Sequence, residues 1–286
     1  MKKIKKTAIT VFKISISLVL LYFVFRKVPF SEVWNLVKRS DLLFLFFALA
    51  AFIASQWLSS ERLLRYFRAY HFNVSSAGNW KLYLIGMFYN FFIPGGIGGD
   101  AYKVIVLNRK FGWSVKQLTA SVFCDRLSGL LAIVILVQVL ALPVLPGGYK
   151  LLVVPSVLLS VVVVHGMLKK FFAPFRSVFV KTLFFSLAVQ LLQLLSIYFI
   201  LKSFSGVQDI WIYFMVFLLS AVLSVISFSG IGVREWLFMQ AAHYFTFDVG
   251  ISVSTAMLFS FMTALVSLFG IWFQIRKFEI ADSDSV

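Results

Sequence analysis

The apolar run Leu82–Ile93, LYLIGMFYNFFI, ends in Pro94-Gly95-Gly96-Ile97-Gly98-Gly99-Asp100 and resumes at Ala101–Leu107. Proline and clustered glycines break helices. A run this short does not reach across a bilayer core, which takes about 20 apolar residues. A second run behaves alike: Trp211–Ile226 ends in Ser227-Phe228-Ser229-Gly230-Ile231-Gly232-Val233-Arg234-Glu235 and resumes at Trp236–Phe247. Both read as broken helical hairpins, over about residues 82–108 and 211–247.

The rest of the chain explains why such breaks matter. Of its 286 residues, 61% are hydrophobic, 13% are charged and 34 are Phe. Soluble domains carry roughly 25% charged residues, and one of this size could not hide so much apolar surface. Disordered, collagenous and disulfide-rich classes are excluded too. The lone Cys124 makes neither an internal disulfide nor a zinc cluster. Full-length apolar spans read at about 7–25, 42–60, 117–142, 151–168, 182–201 and 251–275. The first follows four lysines without a cleavage site after it, so it reads as an uncleaved helix and not a signal peptide. The segment 29–41 reads either as an outer interfacial helix or as a loop.

Charge orients these segments. The chain has 27 Lys+Arg against 11 Asp+Glu, a net +16. With both hairpins re-entrant and the N-terminus inside, the 27 cations divide into 18 inside, 7 outside and two, Lys13 and Arg126, within membrane segments. That asymmetry follows the positive-inside rule; a single full crossing at the first hairpin would spoil it. The expected fold is all-α integral membrane, with about six transmembrane helices and two oppositely oriented re-entrant hairpins. Residues 1–286 form a single membrane domain with both termini cytoplasmic, in the plasma (inner) membrane.

The hairpins carry the same tripeptide, Gly96-Ile97-Gly98 and Gly230-Ile231-Gly232, 134 residues apart, each ahead of an acidic residue, Asp100 or Glu235. Entering from opposite sides, they read as an inverted repeat whose broken helices meet near the midplane. Glycine lets backbone amides approach a ligand, and a helix beginning at membrane depth offers free N–H groups to an anion. Asp100 could instead serve as an N-cap. Asn90 could satisfy broken backbone or face a cavity. Asp125 and Arg126 lie deep in a span, where ionised groups need partners; they form either an ion pair between helices or part of a polar path. Gln190, Gln193 and Ser196 read as interhelical glue, and Glu61-Arg62 as an anchor at the inner interface. The histidines show no metal spacing.

Three patches resemble the lysylphosphatidylglycerol synthase transmembrane-region family of flippase-like membrane proteins: Asn90 through Pro94, Gly95, Gly96, Gly98, Gly99 and Asp100 with Lys103; Asp125-Arg126-Leu127-Ser128-Gly129; and Ser229-Gly230-Ile231-Gly232-Val233-Arg234-Glu235. Lys103 stands where that family usually has Arg, and Phe228-Ser229-Gly230 where it commonly has Pro-Gly-Gly. The resemblance implies a lipid translocase fold. The chain runs about ten residues past its last span, so no synthase domain, and no lipid aminoacylation, is expected.

The expected function is therefore a translocase for an anionic or aminoacylated phospholipid or a polyprenyl-phosphate lipid. Asn90, Pro94, Gly95, Gly96, Gly98, Gly99, Asp100, Lys103, Asp125, Arg126, Gly230, Gly232, Arg234 and Glu235 are its headgroup-binding or translocation residues. No metal, cofactor or nucleic-acid partner is expected, and no nucleotide-binding loop occurs. The alternatives are a membrane enzyme acting on a lipid-linked phosphate or sugar, and an accessory subunit of a separate lipid-modifying enzyme. No D-D-x-x-D, H-E-x-x-H or G-x-S-x-G motif supports the enzyme.

Overall fold

The computed structural model describes residues 30–92, 97–204, 207, 209–224 and 233–275. The expected first span, 7–25, lies outside them, as do Pro94, Gly95, Gly96, Gly230 and Gly232. Among the described residues the chain is helical: α1 Phe30–Arg39, α2 Leu42–Ala69, α3 Ser76–Phe92, α4 Gly98–Phe111, α5 Val115–Leu140, α6 Val153–Phe171, α7 Phe179–Lys202, α8 Ile210–Ser224, α9 Val233–Phe245 and α10 Val249–Ile275. Five stretches are long and apolar enough to cross a membrane: Leu42–Ala69, Val115–Leu140, Gly147–Phe171, Ala173–Lys202 and Val249–Ile275. These coincide with the second to sixth spans read from sequence. Of segment 29–41, Phe30–Arg39 form a helix, with Trp34 exposed and Leu36 and Val37 packed on the core.

Between the long helices lie two pairs of short ones. α3 and α4 have 17 and 14 residues, and α8 and α9 have 15 and 13. Each pair is antiparallel. Tyr89 stacks near Tyr102 at 4.7 Å, while Lys103, further along α4, reaches back to Tyr83. Likewise Tyr213 meets Phe238 at 6.4 Å, and Arg234 meets Phe217. The first pair closes tightly because of glycine. A Cβ on Gly99 would fall on the Gly86 carbonyl, so both backbones touch there.

The helices repeat in register. Ser76 and Ile210 open α3 and α8, Gly98 and Val233 open α4 and α9, and Val115 and Val249 open α5 and α10: offsets of 134, 135 and 134 residues. Packing repeats as well. α3 packs on α10 and α8 packs on α5; α4 packs on α5 and α9 packs on α10. The counterparts α2 and α7 pack on each other along their length. They run antiparallel, since Ser196 Oγ donates to the Ala48 carbonyl (2.8 Å) while Tyr66 OH donates to Thr182 Oγ1 (3.0 Å). The two halves are therefore inverted relative to each other. Lipid is as apolar as leucine, so close packing and polar bonds between helices hold such a bundle. Buried Ala48, Ser55, Ser59, Ser186 and Ser196 supply both along this contact.

Candidate functional site

A cavity of ≈ 320 Å³ opens between the two halves, walled by α2, α3, α4, α5 and α10, with Gln193 of α7 and Arg234 of α9. Of the residues singled out in the sequence, Asn90, Asp100, Lys103, Asp125, Arg126 and Arg234 line it. Glu235 stands behind, accepting from Ser260 Oγ at 2.8 Å. Gly98 and Gly99 open α4 beside it. Phe52, Gln56, Arg62, Tyr83, Gln193, Phe259 and Ser260 also line the cavity and were not expected there.

Asn90 takes both roles read for it. Its Oδ1 accepts from the Gly99 amide at 2.8 Å, satisfying a free N–H of the first turn of α4. Its side chain also borders the cavity. Asp100 is not the N-cap; Ile97 holds that position without a side-chain bond, and Asp100 lies in the first turn. Its carboxylate is drawn away by cations. Lys103 Nζ donates to Oδ1 at 3.1 Å and Arg126 Nε donates to Oδ2. Lys103, counted among the inner-loop cations by sequence, is buried, with its ammonium 4.9 Å from the Tyr83 ring centre.

Arg62 is the second correction. It is no exposed anchor: it is buried within the bundle, one turn or more before the end of α2 at Ala69. Its Nε and Nη2 donate to Asp125 Oδ1 and Oδ2 at 2.7 and 3.1 Å, and Nη1 donates to Ser186 Oγ at 3.0 Å. Gly129, one turn beyond Asp125, leaves room for this guanidinium; a Cβ there would stand 3.2 Å from Nη1. Asp125 and Arg126 thus pair with different helices, as neighbours about 100° apart on a helix allow. The polar positions Ser55, Ser59, Arg62 and Tyr66 fall at i, i+4, i+7 and i+11 on α2. That stripe was the available signal that Arg62 faces inward.

Arg234 differs from the other three cations. Its guanidinium lies between Phe259 (4.8 Å) and Phe217 (5.6 Å), and Nη1 donates to Ser260 Oγ at 3.2 Å. Among the described residues no carboxylate stands within ion-pair distance of it. Its Nε is buried without a hydrogen-bond partner. Among the described residues, four cations and two carboxylates line the cavity, a surplus of two positive charges; counting Glu235, which accepts from Ser260, leaves one. No group of three or more His, Cys, Asp or Glu suited to a metal occurs among the described residues.

The family model for the lysylphosphatidylglycerol synthase TM region matches residues 10–273. The chain belongs to that family. Among curated proteins and solved structures, no significant match to the chain was found. Membership in the lysylphosphatidylglycerol synthase transmembrane-region family accounts for the membrane-spanning helices and places the chain in a lipid-related membrane setting. The three patches that carried the resemblance come together in three dimensions: Asn90, Asp100 and Lys103, then Asp125 and Arg126, then Arg234 share one cavity.

Proposed function

We propose that the protein is a membrane lipid translocase. It moves an anionic or aminoacylated phospholipid, or a polyprenyl-phosphate lipid, between leaflets through the cavity between its two short-helix pairs. The pairs act as re-entrant hairpins entering from opposite faces of the plasma membrane, and both termini are cytoplasmic. One observation carries this reading: a cavity with surplus positive charge lies where two inverted, apolar half-molecules meet. Transporters built from inverted repeats bind substrate at such a junction. Charges inside a membrane are costly and mark a pathway or a site.

Transport fits the cavity better than catalysis. A hydrolase or transferase needs a carboxylate, metal or nucleophile available to react, whereas Asp100 and Asp125 have both oxygens occupied by cations. The test is leaflet exchange of fluorescent phospholipids in proteoliposomes. The purified chain should accelerate exchange, and Arg234→Gln should abolish most of that acceleration. Exchange no faster than in protein-free vesicles, for phosphatidylglycerol, its lysyl ester and a polyprenyl phosphate alike, would refute the reading.

A further inference from the structure

We propose that the cavity takes a lipid headgroup of net negative charge, with Arg234 as its phosphate contact, and excludes aminoacylated headgroups. The proposal rests on the translocase reading of the same cavity and narrows its substrate class. A lysyl ester of phosphatidylglycerol brings two ammonium groups beside one phosphate. A site for it needs carboxylates or aromatic faces open to a cation.

Among the described residues, no lining carboxylate is without a cation. Lys103 and Arg126 occupy the two oxygens of Asp100, and Arg62 occupies both oxygens of Asp125. Glu235 is not among the lining residues, and its Oε1 accepts from Ser260 Oγ. The stretches 93–96 and 225–232, which join the short helices, contain no Asp or Glu. Two of the lining rings already carry a cation: Lys103 sits over Tyr83, and Arg234 over Phe259. Among the described residues, an incoming ammonium meets four cations, and the two carboxylates that line the cavity already hold cations.

A phosphate meets the opposite situation. Arg234 has a buried Nε without a partner and lacks a carboxylate partner among the described residues. The flanking rings and Ser260 hold its planar fork in place, and a guanidinium fork suits phosphate oxygens. One phosphodiester charge matches the surplus of one left after Glu235 is counted. The headgroup would enter between α4 and α9, with its tails outside the cavity among the helices.

The test is binding of short-chain lipids to the full chain in detergent micelles, measured by native mass spectrometry and by competition. Dioctanoyl phosphatidylglycerol should bind at least about tenfold more tightly than its lysyl ester, because like charges brought together cost several kcal/mol. Arg234→Gln should lose most of this binding, and Arg234→Lys should keep part of it, both eluting as the native protein does. Glycerol 3-phosphate should compete only at far higher concentration. Equal or tighter binding of the lysyl ester, absence of saturable phosphatidylglycerol binding, or unchanged binding in Arg234→Gln overturns the proposal. Competition by glycerol 3-phosphate at matched concentration overturns the lipid assignment. Selective binding without leaflet exchange would refute the translocase reading alone. Equal exchange of both lipids would refute this proposal alone.

Discussion

Asp100 and Arg234 are counterparts of opposite charge, one in the first turn of α4 and the other in the first turn of α9. Each bonds to the residue 26 positions later, on the long helix that follows: Arg126 Nε donates to Asp100, and Arg234 Nη1 donates to Ser260. The same backbone geometry is therefore used twice, once as an ion pair and once as a hydrogen bond that leaves a cation facing the cavity. This asymmetry within a symmetric frame puts Arg234 at the cavity where the first pair has a carboxylate.

The two counterparts should respond oppositely to neutralisation. Asp100→Asn removes the carboxylate shared by the buried Lys103 and the part-exposed Arg126. It should destabilise by about 3 kcal/mol. Arg234→Gln removes a cation with no carboxylate at ion-pair distance, so stability should stay unchanged or rise. Thermal unfolding in detergent separates the two; comparable destabilisation by both would contradict the assignment.

The bidentate pair of Arg62 and Asp125 should behave as a coupled unit. Breaking a buried pair from one side costs about 3–5 kcal/mol. Arg62→Met and Asp125→Leu should each fall in that range, and the double variant should cost clearly less than their sum. Four unfolding midpoints in one detergent complete the cycle. Additive losses would mean that the two side chains act independently.

Asn90 separates structure from function. Asn90→Ala removes the acceptor for the Gly99 amide and should cost about 1 kcal/mol, as lost helix caps do. Asn90→Asp keeps an acceptor but adds negative charge to the cavity. It should preserve stability and strongly reduce exchange of anionic lipid, read in the proteoliposome assay. Undiminished exchange would show that the cavity charge does not bear on transport.

Close backbone contact predicts which glycines tolerate a methyl group. Gly99→Ala would drive its Cβ into the Gly86 carbonyl, and Gly270→Ala would drive its Cβ into the Leu84 carbonyl where α10 crosses α3. Each should destabilise by about 3 kcal/mol, since neither backbone can give way cheaply. Gly166→Ala on α6 meets no neighbour within 4 Å and should be neutral or mildly stabilising. Expression level and unfolding midpoint of the three variants provide the comparison.

Much of this architecture is legible along the chain because lipid imposes a local rule. An apolar helix of sufficient length must span, so five spans follow from hydropathy. Broken segments stand out because Pro94 and the clustered glycines interrupt otherwise apolar runs. The 134-residue spacing of the two Gly-Ile-Gly motifs also marks the repeat, and the helix boundaries follow it. Arg62 was misread as an anchor because its burial depends on Asp125, 63 residues away. Asp100 was read as a possible cap because its real partner, Arg126, is 26 residues away.

That the chain is a membrane protein, where its helices run and where they break, is therefore legible from residue order. Those properties arise from each segment's own exchange between water and hydrocarbon and from its own backbone chemistry. Tertiary structure alone decided which charges neutralise one another and which remains available. Asp125 belongs to Arg62 and Asp100 to Lys103 and Arg126, while Arg234, among the described residues, meets a serine and two rings and no carboxylate at ion-pair distance. Coulomb attraction and hydrogen bonding depend on distance in space, and the packing of the inverted halves sets those distances.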